Sequence, residues 1–492
     1  MSSFSEQPPV PARPPIQLKM NFSGENPLAA ALRAGRFVTL LELNTPPAAQ
    51  PLEAALAPAV ALARRSAAAP EITGLAVTDR LKAEESHDPV AAAALLGEAA
   101  GKPVLMTLSG KGSTRERLRD VLARAASHGI RNILAVSGDR SDKHEVVRDV
   151  LGRPRPYPPG YFDSPAALGL IRSFTTGLYA GAGVNPFKYH PADQYLQYFK
   201  MLRKLHGGAQ FLVTHAGWDM KKYQELQWFL QMREISWPVL ARIPLLAPGE
   251  IERIHERWQP GVHASRRFYA MLQRESSLNP AQGLAAQLTR VGLQVAGCKL
   301  LGYSGVQLTG IRDVPLLEMA LAKIREALGQ FRAWPDWVAA WNEFHNFIEF
   351  APYSSSFYAF GGLLAPESPY YREGAGPAKG AAPPGLRPRG RDRLRARVFQ
   401  IGQADWTPPW LHRTTQTLLG CHHCPHAGCG LELCYGLCPE QCPKGLASGA
   451  CGGSFPDGTC EFGHAPCFHH RVLALAAARH ELDRLEEGLP CD

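Results

Sequence analysis

No stretch of the chain approaches eighteen uninterrupted apolar residues, and the N-terminus, MSSFSEQPPVPARPPIQ, has no apolar run behind a positive start. The first absence argues against a membrane-spanning helix and the second against an export signal, so the expected location is the cytoplasm. Aromatic residues are missing from the densest arginine run, Arg387 to Arg397, where Pro, Gly, Asp, Leu and Ala alternate with the charges. With arginine otherwise spread along the whole chain of net charge +9, this run reads as a solvated basic linker, and neither nucleic acid nor membrane is an expected partner. A separate G-x-G-x-x-G dinucleotide unit with its acidic partner is also missing. Cysteine is scarce before residue 421, where Cys298 stands alone, and then abundant: nine of the eleven fall between Cys421 and Cys467. In a cytosolic chain such density points to metal rather than disulfides.

What is present is an ordinary globular composition, 45% hydrophobic and 20% charged. The 492 residues exceed what one core usually holds, which favours two units. Short apolar runs alternate with longer helical patterns: 36–43, 72–78, 103–108, 132–138, 178–184, 210–215, 238–244 and 304–310. In one connecting helix Ser113 and Glu116 form a capping-box pattern. Leu118, Val121, Leu122 and Ala125 share a face, and Gly129 marks the stop. Eight strand, helix, strand units predict an α/β fold, a (β/α)8 TIM barrel followed by a small cysteine-rich metal-binding domain.

The expected organisation is a disordered tail over 1–20 and a barrel over 21–330. An aromatic bridging segment (331–362), a Pro/Gly/Arg-rich linker (363–398) and the cysteine-rich domain with a C-terminal helix (399–492) follow. Barrel sites lie at the C-terminal ends of the strands. There the sequence delivers Glu42, Thr78, Thr107, Ser137, Gly138, Asp139, Asn185 and His215, with Arg312 just beyond the eighth strand. Singly, each has a structural explanation as a strand terminus, cap or core residue. Jointly they mark one rim as a site.

The ordered set of LLELNTPP, AVTDR, AVSGD, FDS, NPFKYHP and LRKLHGGAQFLVTH, within residues 20–325, resembles the successive motifs of methylenetetrahydrofolate reductases. The resemblance implies a flavin, FAD or FMN, across the strand ends and a folate stacked on it. It implies reduction of 5,10-methylenetetrahydrofolate to 5-methyltetrahydrofolate, with Glu42 as general acid and Asp139 tuning flavin and pterin. Thr78, Thr107, Ser137, Gly138, Asp163, His190, Arg203 and Lys204 match flavin-contacting positions, and Arg312 a position near the folate tail. Two residues depart from the pattern. His215 stands where a folate-binding glutamine is common, which would make binding pH-sensitive, and Asn185 stands where a tyrosine is common.

Cys421-x2-Cys424 and Cys438-x3-Cys442-Pro443 have metal-ligand spacing, and Gly449-Ala450-Cys451-Gly452-Gly453 lets backbone wrap closely round a cluster. The segment also resembles the C-terminal domain joined to such reductases in anaerobic one-carbon pathways, which is associated with iron–sulfur clusters. Cys421, Cys424, Cys429, Cys438, Cys442, Cys451, Cys460 and Cys467 would hold two 4Fe-4S clusters, leaving Cys434 spare. Two four-cysteine zinc sites would use the same number of ligands. The electron donor stays open between NAD(P)H, ferredoxin and another redox protein, and a homo-oligomer is compatible with all of this. The competing function is a non-catalytic assembly subunit of a one-carbon complex.

Overall fold

The computed structural model describes residues 24–79, 86–140, 160–174, 177–246, 250–255, 260–348, 350–352, 386–403, 407–419, 430–463 and 465–487. Eight parallel strands close into a barrel in chain order: β1 (Val38–Asn44), β2 (Gly74–Thr78), β3 (Val104–Ser109), β4 (Asn132–Val136), β5 (Tyr179–Val184), β6 (Phe211–Thr214), β7 (Val239–Pro244) and β8 (Gly305–Thr309). Each of the eight predicted runs overlaps one strand, with β1 and β3 running one residue past their predicted ends, because a strand buried on both faces is written as a continuous apolar stretch. No helix among the described residues is long and apolar enough to cross a membrane.

The two-residue period of a strand divides the barrel's side chains between two destinations. Leu41, Leu75, Val77, Met106, Ile133 and Leu212 face outward into the core shared with the surrounding helices. Leu40, Ala76, Leu105, Leu134, Phe211 and Leu240 face inward, where Leu28, Ala29, Ala31 and Leu32 of helix Pro27–Arg33 plug the lower end. Asn26 starts that helix by accepting from the amides of Leu28 and Ala29, and its own amide donates to Asn132 on β4 at 2.8 Å. One period above this apolar floor, the inward positions are Glu42, Thr78, Thr107 and Arg242. The same alternation that fills the floor therefore aims polar groups at the mouth.

Three details differ from the sequence reading. The helix after β3, Arg115–Ser127, is capped by Thr114, which accepts from Arg117 N; Ser113 instead turns back and donates to Ser109 O at 3.2 Å. The aromatic segment is part of the barrel core: Trp334, Trp337 and Trp341 of helix Trp334–Phe344 are buried and stacked at 4.6 and 5.3 Å. The linker's basic run keeps Arg387, Arg389, Arg391, Arg393 and Arg397 exposed, but helix Gly390–Gly402 occupies its end. There Asp392 takes both Nε and Nη2 of Arg471, at 2.9 and 2.6 Å. A buried carboxylate on that helix gives it a fixed partner that the charge pattern did not disclose. The tail assigned to 1–20 and most of the linker lie outside the described residues.

The cysteine-rich unit has its own small core, with Tyr435, Leu437, Leu446, Phe468, Val472 and Leu473 closing on Leu196 and Phe199 of the barrel helix Pro191–His206. Its expected C-terminal helix is two pieces, Phe468–Ala478 and Asp483–Glu486. Between them His480 takes a left-handed φ of 60°. Glu486 accepts both Nη1 and Nη2 of Arg233 at 2.9 and 2.7 Å, which ties this end to the barrel.

Candidate functional site

A cavity of about 170 Å³ lies at the C-terminal ends of the strands, walled on one side by the barrel and on the other by Lys444 and Ala450 to Gly453 of the cysteine unit. Of the residues anticipated from sequence, Thr78, Thr107, Ser137, Gly138, Asp139, Asn185, Lys204 and His215 line it. Gly138 follows β4 with φ of 88°, and a Cβ there would come within 2.6 Å of Ser109 Oγ and 2.7 Å of Lys111 Cβ. Only glycine fits the turn that carries Asp139 to the cavity.

Glu42 stands behind the wall rather than in it. Arg242 grips both carboxylate oxygens, Nε to Oε2 at 2.6 Å and Nη2 to Oε1, and Gln307 Nε2 donates to Oε2 at 2.6 Å. Arg242 and Gln307 are register partners on β7 and β8, and they, not Glu42, meet the cavity. Neither was anticipated. An arginine inside the apolar run PVLARIP and a glutamine inside SGVQLTG were the available signals, because a barrel interior tolerates such groups only with partners.

The other polar groups are strongly conditioned by burial. Burial pushes the Asp139 carboxyl up; Lys444 opposes this and Glu461 adds to it. Burial, reinforced by the neighbouring Lys200 charge, pushes the Lys204 ammonium down to about 7. Burial also lowers His215 to about 3, with Arg242 and Lys188 adding to the effect. His215 Nδ1 accepts from Ala216 N at 3.0 Å, which leaves Nε2 as the protonated nitrogen. Burial thus favours the neutral ring at His215 and works against the pH-sensitive binding expected from the sequence.

The remaining anticipated residues serve elsewhere. Asp163 is one layer back, bridging Ser137 Oγ (3.0 Å) and Lys200 Nζ (2.7 Å); burial alone would raise its carboxyl, but Lys200 holds it low. Arg203 is buried and donates to Arg484 O at 2.9 Å, and His190 stacks on His470 at 4.7 Å, so both face the cysteine unit. Arg312 is exposed beyond β8 and does not reach the cavity. Asn185 lines the cavity but gives its amide to Gly261 O and Gly452 O at 3.2 and 2.7 Å.

A row of such donors holds the cysteine unit over the mouth. Lys188 Nζ donates to Gly452 O, Ser454 O and Ser454 Oγ at 2.8 to 2.9 Å, Gln197 Nε2 to Cys451 O at 2.9 Å, and Lys200 Nζ to Gly449 O at 3.0 Å. From the other side Lys444 Nζ reaches Gly138 O at 2.6 Å and Glu461 Oε1 at 2.5 Å.

Cys421, Cys424 and Cys429 lie outside the described residues. Cys434, expected to be spare, is buried with its Sγ 3.7 Å from Ala447 O. Cys442, Cys451, Cys460 and Cys467 face one another. Burial raises all four thiols, to about 12 for Cys451, and the other three cysteines add to it at Cys467. Among the described residues no three cysteine sulfurs come within 4.8 Å of one another. The four thiols, two buried and two partly exposed, form a cysteine donor set that would suit either zinc or an iron–sulfur cluster.

The family profile of methylenetetrahydrofolate reductase matches residues 28–258, and that of the methylene-tetrahydrofolate reductase C terminal matches residues 410–492. Together the matches span more than half of the chain. No curated protein sequence matches it. Among solved structures, a protein from Clostridium thermocellum described as binding two copies of 5-methyl-5,6,7,8-tetrahydrofolic acid is 11% identical. That similarity covers 62% of this chain and 100% of the other, with a TM-score of 0.44. Phosphoenolpyruvate phosphomutase from Streptomyces platensis subsp. rosaceus is 13% identical over 61% of this chain and 85% of its own, with a TM-score of 0.31. Likenesses this distant bear on neither ligand nor reaction.

Proposed function

The chain belongs to the methylenetetrahydrofolate reductase family and carries that family's C-terminal domain, and from this we propose that it reduces 5,10-methylenetetrahydrofolate to 5-methyltetrahydrofolate with a bound flavin. The observation that carries the reading is that one cavity is lined both by the flavin-type positions Thr78, Thr107, Ser137 to Asp139 and Lys204, and by Cys451 of the cysteine unit. A flavin held there would supply the hydride, and cysteine-bound iron–sulfur clusters would bring electrons to it.

The chain's own residues do the rest. Lys204 and the Thr78 and Thr107 hydroxyls offer donors and acceptors to a flavin, and the inward wall of Ser137 and Gly138 gives its ring a rigid edge. His215, a neutral Nε2–H donor, suits a pterin carbonyl or ring nitrogen. Glu42 is the proton source that family resemblance implies, and it becomes available only when bound ligand draws Arg242 away from its oxygens. Asp139 is the second carboxyl in range; it faces the cavity directly, and its burial favours the protonated form.

The test is the visible absorption spectrum of full-length protein purified without air. Flavin bands together with a broad iron–sulfur absorbance, and about eight iron atoms per chain, are expected. Protein that holds no flavin and takes up neither added FAD nor FMN overturns the enzymatic reading. Stoichiometric zinc without iron removes the electron route while leaving the flavin reaction intact.

A further inference from the structure

His190, Asp193 and His470 each present one ligand atom, and all three atoms lie within 4.8 Å of one another. We infer that they form a binding site for one divalent ion of zinc's chemistry, at the seam between barrel and cysteine unit. His190 and Asp193 come from the start of helix Pro191–His206, and His470 from helix Phe468–Ala478, so the two halves are contributed by different units.

The site is built but incompletely satisfied. Asp193 is 1% exposed, yet only its Oδ1 has a hydrogen bond, from His470 Nε2 at 2.8 Å. Asp193 Oδ2 and His190 Nδ1 are buried with no hydrogen-bond partner among the described residues. Such groups are costly without a partner and ordinarily find one. Lys188 lies near enough to stabilise the Asp193 charge, but its ammonium protons go to Gly452 and Ser454. A cation between the three side chains would satisfy both orphaned atoms.

The rings of His190 and His470 are stacked 4.7 Å apart at an interplanar angle of 8°, so one ring must turn for both in-plane lone pairs to meet one ion. Gly458 covers them so closely that a Cβ would sit 3.0 Å from His190 Cδ2 and 3.1 Å from His470 Cε1. Burial lowers His190 and so favours the neutral imidazole that binds metal. Two imidazoles and one carboxylate, with a fourth position left for water, suit zinc better than a hard oxygen-seeking cation. Both histidines are partly exposed, which leaves a way in.

The experiment is zinc binding to the full chain, stripped with chelator and then dialysed against Zn²⁺, read by elemental analysis and by the zinc K-edge. One zinc per chain with a first shell of N and O at ~2.0–2.1 Å is expected. Asp193→Asn and His470→Gln, which keep size and a hydrogen bond, should weaken zinc binding at least ~10-fold without changing iron content. Equal zinc in wild type and both variants, or a sulfur shell at ~2.3 Å, overturns the assignment. Should the variants fail to fold, the wild-type K-edge spectrum alone decides between the two shells.

Discussion

Glu42 and Asp139 divide, at the scale of single residues, the requirements of a proton donor between them. Glu42 is in the layer where the reaction is expected but is clamped by Arg242 and Gln307; Asp139 meets the cavity and is pushed toward its protonated form. Two variants separate the roles. Glu42→Gln keeps an acceptor for Arg242, so flavin binding should persist while the folate half-reaction falls by ~10²-fold to 10⁴-fold, the usual loss for a general acid. Asp139→Asn should leave a smaller defect in stopped-flow reoxidation by methylenetetrahydrofolate; the reverse ranking would transfer the acid's role to Asp139. His345 gives a residue-scale prediction about stability. Its Nδ1–H donates to Trp341 O at 2.8 Å and its Nε2 accepts from Arg290 Nε at 3.0 Å, which only the neutral ring can do. Burial, with the Arg290 charge adding to it, holds the folded-state value at about 3, against ~6.5 in an unfolded chain. Between those values the unfolded state binds the proton and the folded state does not. Stability should therefore fall as pH drops below ~6.5, by up to ~1.4 kcal/mol per unit from this group. Urea unfolding of His345→Gln should show a shallower decline between pH 7 and pH 5 than wild type; an identical decline refutes the assignment.

Element by element, the barrel shows why some of the sequence could be read and some could not. In β5 the run LYAGAGV owes Gly181 to its neighbour: a Cβ would lie 2.3 to 2.7 Å from the ring carbons of Phe211, which stacks on Tyr179 at 4.9 Å to fill the barrel floor. Gly181→Ala should cost ~1–3 kcal/mol through overpacking, seen as a lowered Tm with cavity residues undisturbed; an unchanged Tm would mean the floor yields freely. The strand positions were legible because continuous apolar runs have few other uses, and the rim residues because the period of two makes Thr78 and Thr107 inward once Ala76 and Leu105 are. What was not legible was pairing across strands. That Arg242 and Gln307 close on Glu42 depends on β7, β8 and β1 being adjacent in a closed sheet, a relation between residues 200 and 265 positions apart. Likewise, Lys188, within the motif NPFKYHP, and Lys200, outside any quoted motif, donate to carbonyls of residues 449–454. A backbone acceptor leaves no residue-type signal.

For the molecule as a whole, the cysteine unit and the barrel are held together by charge-assisted bonds on both sides of the cavity, and this makes ligand retention depend on contacts far from the chemistry. Arg233 and Glu486 offer the cleanest probe, since their pair sits away from the cavity with side chains only 15% and 9% exposed. Glu486→Gln removes the charge but leaves an acceptor for one of the two guanidinium bonds, and a half-paired buried arginine should cost ~2–3 kcal/mol at the seam. If that seam closes the cavity, backbone amides on the rim helix Pro191–His206 should exchange hydrogen faster. Bound flavin should also be lost several-fold sooner on dilution, while the folate half-reaction of the still-loaded protein stays near the wild-type rate. Faster exchange confined to the last helix, with flavin retention unaltered, would show instead that the cysteine unit rests on the barrel without governing its mouth.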